Sequence, residues 1–372
     1  MNGLVSAAVV FSLVAMCRTL PNGVRLPLLL ILGTVAGQLV SRLQWDSGWD
    51  AQSLTTGILY VVLPLLVWEL AARLPLRRLR RYRGPVAAQA LLTFLMMLAG
   101  VSAVLFYGIS HAGFPLLSAL VAATLLATVD PGFATPYLEG ARRVQVWLEG
   151  EAAVVDALAL VLLMVLLSLD SVSQWSTATL MTDLLRTVVG AMLAVACGVA
   201  VWRVAGGARW GAVLTGVWLW WLYLGAEWLL AAPGLVVVLA ATVWIRRGRP
   251  APLPCLNLTP WLADSLVVVL GFTLTAAMFT ERYWVMLLAI GAAVVVRLLS
   301  LLPWLMWRGL PIRGEERRQW LLAPSRGPIT LALVLALPTD LPAWWTVQSL
   351  AYGVILFDLL VQGSLIHGGR SG

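Results

Sequence analysis

What this sequence lacks above all is charge. Only 11% of its 372 residues are charged against 61% hydrophobic, and mean hydropathy is +0.91. Soluble domains run to roughly 25% charged and 45–50% apolar, so water is ruled out as the main solvent. Cysteine is nearly absent as well. Cys17, Cys197 and Cys255 stand far apart with no CxxC or ligand spacing, which supports neither a disulfide framework nor a metal site and leaves packing roles. The two histidines, His111 and His367, fall in an expected external loop and near the C-terminus, so intramembrane histidine chemistry and a histidine metal cluster are not expected. A GxxxxGK[ST] phosphate loop and a TVGYG filter are both missing, which argues against ATP as the energy source and against a potassium channel. No nucleophile stands beside a base, so no enzyme and no cofactor is implied. Energy has to come from gradients.

What is present is a succession of apolar runs, each near the ~20 residues that cross about 30 Å of hydrocarbon. They read as an all-α polytopic membrane protein with spans over 3–16, 26–41, 54–70, 84–109, 115–138, 146–169, 179–202, 210–229, 233–245, 258–278, 283–307, 321–337 and 344–366. The first run is shaped like a signal peptide, but it has no basic n-region and no small-x-small site before Arg18, so it counts as a helix. With thirteen spans, twenty of the arginines, six of them between Arg73 and Arg83, fall in the odd-numbered loops and the C-terminus, against Arg42 and Arg282 on the other side. Positive charge is retained in the cytoplasm, so in a bacterial inner membrane the N-terminus is expected to be periplasmic and the C-terminus cytoplasmic. The formal charge of +8 is thus dispersed among loops, and the implied partner is the bilayer, with no nucleic acid. Many of the nineteen tryptophans, such as Trp344 and Trp345, stand near span ends as interfacial anchors.

An odd total suggests six helices, a linker and six more, with span n and span n+7 inverted. Asp130-Pro131-Gly132 in the fifth span is then answered by Ser325-Arg326-Gly327-Pro328 in the twelfth. Proline removes an amide donor and glycine unwinds cheaply, so both segments should interrupt their helices around a polar cavity. Paired interrupted helices are the best sequence pointer to a transporter's binding site. The competing view is two packing kinks that bind nothing.

A charge at mid-membrane costs about 2.5–3.5 kcal/mol even on lenient scales, and the usual reason to carry one is ion or proton movement. Asp130 and Asp156 both lie near the expected midplane. Two carboxylates in one dehydrated cavity hold protons tightly, and a small cation competes for their place. Either acid has a plainer alternative, a static ion pair or, for Asp130, the cap of a half-helix. Glu149, Ala152 and Asp156 share one helical face, and Glu149, nearer the cytoplasm, either lines the entry funnel or is solvated at the surface. Glu151 points about 140° away and is expected to pair with Arg297 in the eleventh span. Asp358, in the thirteenth span, is either an additional proton carrier or a hydrogen-bonded or arginine-paired structural acid. Glu69 either lines the inner approach or pairs with Arg73 at i+4, while Glu227 and Asp264, near span ends, are expected to be solvated.

The stretch Ala127-Thr128-Val129-Asp130-Pro131, followed by Leu148-Glu149-Gly150-Glu151-Ala152-Ala153-Val154-Val155-Asp156, resembles the core of NhaP-type monovalent cation:proton antiporters. Leu63-Pro64 through Glu69, Ala226-Glu227 with Pro233-Gly234, Arg297 and Arg326-Gly327 extend the likeness over nearly the whole chain. The resemblance implies a homodimer whose subunits join dimerisation helices, 3–83 and 210–278, to core helices, 84–169 and 283–366, through a linker at 179–202. It implies that Asp130 and Asp156 bind the cation, Na+ or K+, in exchange for protons, that Glu69 lines the inner approach, and that Glu151 pairs with Arg297. The sequence departs from the pattern where the family carries Thr, Ser and Asn: here stand Val129, Ala152 and Val155. Three polar side chains are lost, so a sodium preference is not inherited. Two other readings follow: a degenerate homologue that transports nothing, and a sodium-coupled symporter of an organic anion.

Overall fold

A chain that leaves water must bond its backbone within each segment, and helices do this. A computed structural model describes residues 2–43, 51–109, 114–130, 132–133, 138, 141–167, 177–247, 256–307, 312, 314–323 and 326–362. Pro131, Ser325, Cys255, His111 and His367 lie outside these residues. Among the described residues there are helices and no strand.

The first part of the chain forms α1 (Asn2–Cys17), α2 (Asn22–Arg42), α3 (Ala51–Gly57), a π-helical turn (Ile58–Val62), α4 (Leu63–Arg73), α5 (Leu76–Gly108), α6 (Leu116–Ala127) and α7 (Arg142–Leu167). There follow α8 (Thr177–Val204), α9 (Ala212–Leu230), α10 (Gly234–Arg247), α11 (Thr259–Thr273), α12 (Ala276–Met306), α13 (Glu315–Leu322), α14 (Pro328–Leu335) and α15 (Trp344–Phe357), the last running into a second π turn (Asp358–Gln362). Among the described residues, eight helical stretches of 19–31 residues are long and apolar enough to cross a membrane. The molecule is an integral membrane protein. Cys17 is buried as expected, whereas Cys197 is exposed on α8.

Proline sets the irregularity ahead of α4. Pro64 has no N–H to bond the Tyr60 carbonyl, and the Leu63 amide reaches back to Ile58 O, so the carbonyls of Leu59 and Tyr60 are both released. Helix α9 supplies the missing donors: Trp220 Nε1 donates to Tyr60 O at 2.6 Å and the Tyr223 hydroxyl to Leu59 O at 3.1 Å. Trp220→Phe should leave a carbonyl unbonded within the helix packing and cost about 1–3 kcal/mol, read from thermal unfolding in detergent.

Helix–helix packing in lipid relies on small residues that let backbones approach. Gly33 and Gly37 of α2 meet the Val268 and Phe272 carbonyls of α11, and a Cβ on Gly37 would lie 2.5 Å from Phe272 O. Gly271 returns the contact, its added Cβ falling 2.8 Å from Thr34 N. On the other side α5 packs against α6, α7 and α12, and α12 against α15. Helix α10 packs against α4, α8 and α9, and α14 touches both groups through α11, α4 and α6.

Candidate functional site

Helix α6 ends at Ala127, earlier than the 115–138 span expected from the sequence, because Thr128 is extended and its hydroxyl turns back onto Leu125 O at 2.6 Å. Helix α14 begins at Pro328 after Gly327 in extended backbone. The C-terminal end of one short helix and the N-terminal end of the other therefore lie inside the protein, where orphan carbonyls and amides need partners.

Each break supplies the charge that the other one needs. Asp130 Oδ2 accepts the Ile329 amide of α14 at 2.7 Å while its Oδ1 accepts the Gly132 amide at 3.0 Å, so a carboxylate stands at the positive end of α14. Arg326 Nε and Nη2 donate to Leu126 O at 3.2 and 3.0 Å, placing a guanidinium at the negative end of α6. The two breaks also touch through Thr128 and Thr330, whose hydroxyl oxygens are 2.8 Å apart. Gly327 makes this possible: a Cβ there would fall 2.5 Å from Asp130 O and 2.7 Å from its Oδ2. Gly132 does the same opposite Pro328, whose Cδ would be 2.6 Å from an added Cβ. Gly327→Ala should push the breaks apart, with a loss of about 1–3 kcal/mol in thermal unfolding.

An acid from a neighbouring helix binds each break. Asp156 of α7 accepts the Val129 amide through Oδ1 at 3.1 Å, one residue from Asp130. Its Oδ2 is buried with no hydrogen-bond partner. Asp358, at the end of α15, accepts both the Arg326 amide and its Nη1, each at 3.2 Å through Oδ2. The two acids thus occupy matching places with different company: Asp156 stands beside a second acid, Asp358 beside a base. Asp358 is therefore arginine-paired, at 3.2 Å from Arg326 Nη1.

The remaining predicted residues sort by face. Glu149 is half-buried on α7, and Ala152, Val129 and Val155 are buried apolar groups around the break. Glu151 points the other way, where Arg297 Nη2 donates to its Oε2 at 2.9 Å and Nη1 bonds its Oε1. Gln89 of α5 donates to Glu151 Oε2 at 3.0 Å and accepts from the Trp147 indole, while Ser300 and Thr93 extend the cluster. Glu69 is buried, and its carboxylate accepts the Leu258 and Thr259 amides at 2.8 and 3.0 Å, the Thr259 hydroxyl at 2.6 Å and Arg73 Nη2 at 2.9 Å. The carboxylate thus caps the first amides of α11 and also makes the Arg73 pair. Asp264 is 1% exposed beside Arg25, 3.5 Å away, and Glu227 Oε1 accepts the Gly234 amide at 2.9 Å, so neither has the fully solvated place expected of it.

Sequence reasoning missed Thr128, Thr330 and Gln89 as members of these networks. The available signal was a polar side chain within an apolar run, the first two each two residues from a break proline or aspartate.

The family described as sodium/hydrogen exchanger, transmembrane, matches residues 4–368. The Na(+)/H(+) antiporter NhaG of Bacillus atrophaeus is 26% identical over 83% of this chain and 62% of that protein. The low-affinity Na(+)/H(+) antiporter NhaS1 of a Synechocystis strain is 25% identical over 82% of this chain and 62% of its own length. The chain therefore spans less than two thirds of the curated relatives it matches. The structure of the sodium proton antiporter MjNhaP1 from Methanocaldococcus jannaschii at pH 8 is similar with a TM-score of 0.72 at 16% identity, covering 98% of this chain and 100% of that one, so the two share a fold.

Proposed function

From the premise that this chain belongs to the sodium/hydrogen exchanger family, we propose that it exchanges a monovalent cation, Na+ or K+, for protons at Asp130 and Asp156. The observation that carries the reading is Asp156 Oδ2, a buried carboxylate oxygen with no hydrogen-bond partner beside a second buried acid. A carboxylate left so is far too unstable as a bare anion and must be neutralised. Proton and cation are the two mobile species able to do it, and only one occupies the position at a time. The curated relatives carry names of Na(+)/H(+) antiporters, which supports the same pairing of substrates.

Transport then proceeds by alternating access. The unit built on α5–α7 and α12–α15 moves against that built on α1–α4 and α9–α11, with α8 as linker, and it moves only when the acids are discharged. The crossings number thirteen in a 6+1+6 inverted repeat, with the N-terminus periplasmic and the C-terminus cytoplasmic in a bacterial inner membrane, and two copies form a dimer. Asp130, tied to two amides, acts as the fixed member of the acid pair; Asp156 is the exchanging one. The test is proton flux in proteoliposomes under imposed gradients of sodium, potassium and lithium in turn. Flux driven by sodium or potassium is expected, and none with any of the three would overturn the reading.

A second reading is favoured by the apolar burial of Val129, Ala152 and Val155 around the break, which gives the acids little polar help. A silent wild type that gains exchange through Val129→Thr, Ala152→Ser and Val155→Asn would mark the protein as a degenerate homologue.

A further inference from the structure

Arg326 is a permanent cation held in the same crossing as the two acids. Its side chain is 2% exposed, and a guanidinium does not give up its proton in a protein. Three of its nitrogens are engaged: Nε and Nη2 on Leu126 O, and Nη1 on Asp358 Oδ2. The residue after it, Gly327, is in contact with the Asp130 backbone and carboxylate, so the base of this flexible side chain starts one residue from the acid pair. Leu126 O alone offers it a neutral carbonyl. Asp130 and Asp156 offer negative charge in a low-dielectric setting, where the attraction is far stronger than in water. Asp358 gives the guanidinium a counter-charge of its own, accepting both Nη1 and the Arg326 backbone amide through one oxygen.

We propose that Asp358 is a specificity-determining positioning residue: it holds Arg326 against the end of α6 and so keeps the chain's own cation out of the place where the transported cation binds. The proposal rests on the reading of Asp130 and Asp156 as the exchange site. It also separates Asp358 from proton transport, because protonating Asp358 would leave Arg326 buried without its counter-charge, a state that buried ion pairs strongly resist.

With Asp358→Asn, the freed guanidinium competes for the acids. If it occupies them about nine-tenths of the time, apparent cation affinity falls about tenfold. The expected result in proteoliposomes is a half-saturating cation concentration raised about tenfold, with the rate at saturating cation kept within a few-fold of wild type. In the double variant Arg326→Met/Asp358→Asn the cation at the crossing of the two breaks is gone. Its maximal rate should drop with the loss of the Leu126 bonds, but half-saturation should return to the wild-type value and the proton-to-cation ratio should not change.

An unaltered half-saturation in Asp358→Asn would overturn the proposal. So would a double variant that keeps the raised value, and so would a double variant with an altered proton-to-cation ratio, which would identify Asp358 as a proton carrier. Should Asp358→Asn fail to fold, the double variant, which leaves no lone buried charge, decides the matter by half-saturation and ratio. Failure of the exchange-site reading would look different, as wild-type vesicles without cation-driven flux or an Asp156→Asn variant that exchanges normally.

Discussion

Asp156→Asn should abolish cation-driven proton flux in proteoliposomes while leaving the protein about as stable as wild type. The substitution keeps the size of the side chain and an oxygen able to accept the Val129 amide, so the one hydrogen bond of Asp156 survives. What disappears is the charge on an oxygen that has no hydrogen-bond partner. Removing one member of a buried charge pair costs about 3–5 kcal/mol, which for a cation resting on that carboxylate is about two to three and a half orders of magnitude in affinity. An isosteric amide cannot carry the proton in return either, so both half-reactions stop. Asp130→Asn should behave differently. Both oxygens of Asp130 accept backbone amides, from Gly132 and Ile329, and an amide NH2 turned toward one of them sets donor against donor. That variant should lose flux and also about 1–3 kcal/mol of stability. Flux and thermal unfolding measured on the same preparations separate the exchanging acid from the capping one. An Asp156→Asn protein with full flux would refute the assignment.

Glu151→Gln and Arg297→Met should each destabilise the protein by about 3–5 kcal/mol, because each leaves the other charge buried and alone. Glu151 is 0% exposed and Arg297 8%, and the cluster of Gln89, Trp147, Ser300 and Thr93 around them offers hydrogen bonds but no second charge of either sign. The double variant Glu151→Gln/Arg297→Met should recover most of the loss, since well-packed neutral groups replace a buried ion pair at little net cost. Thermal unfolding of the two single variants and the double variant in detergent forms the cycle. Simple additivity of the two losses would show that the residues do not act as a pair.

The membrane class, the approximate positions of the helices and the burial of Asp130 and Asp156 were legible because they depend on local properties. Apolar length reports a span, and a proline or glycine reports a break. The spacing of Glu149, Ala152 and Asp156 against Glu151 reports faces, since helical periodicity fixes which side chains share a side before any partner is known. For Glu151 the opposite face was enough to look for a base elsewhere, and Arg297 was the deepest one available.

The sequence by itself determined that this chain lives in a bilayer, that it is interrupted near Asp130 and Arg326, and that several acids lie too deep to be solvated. Only the tertiary structure decided which partners each acid meets. Asp130 meets Ile329 across 199 residues and Arg326 meets Leu126 across 200, so the reciprocal capping of the broken helices exists only once α6 and α14 cross. The same is true of Glu69, whose amide partners Leu258 and Thr259 lie 189 and 190 residues away. A buried carboxylate's role is set by the donors within about 3 Å of it, and those donors come from distant segments whose meeting no local pattern encodes.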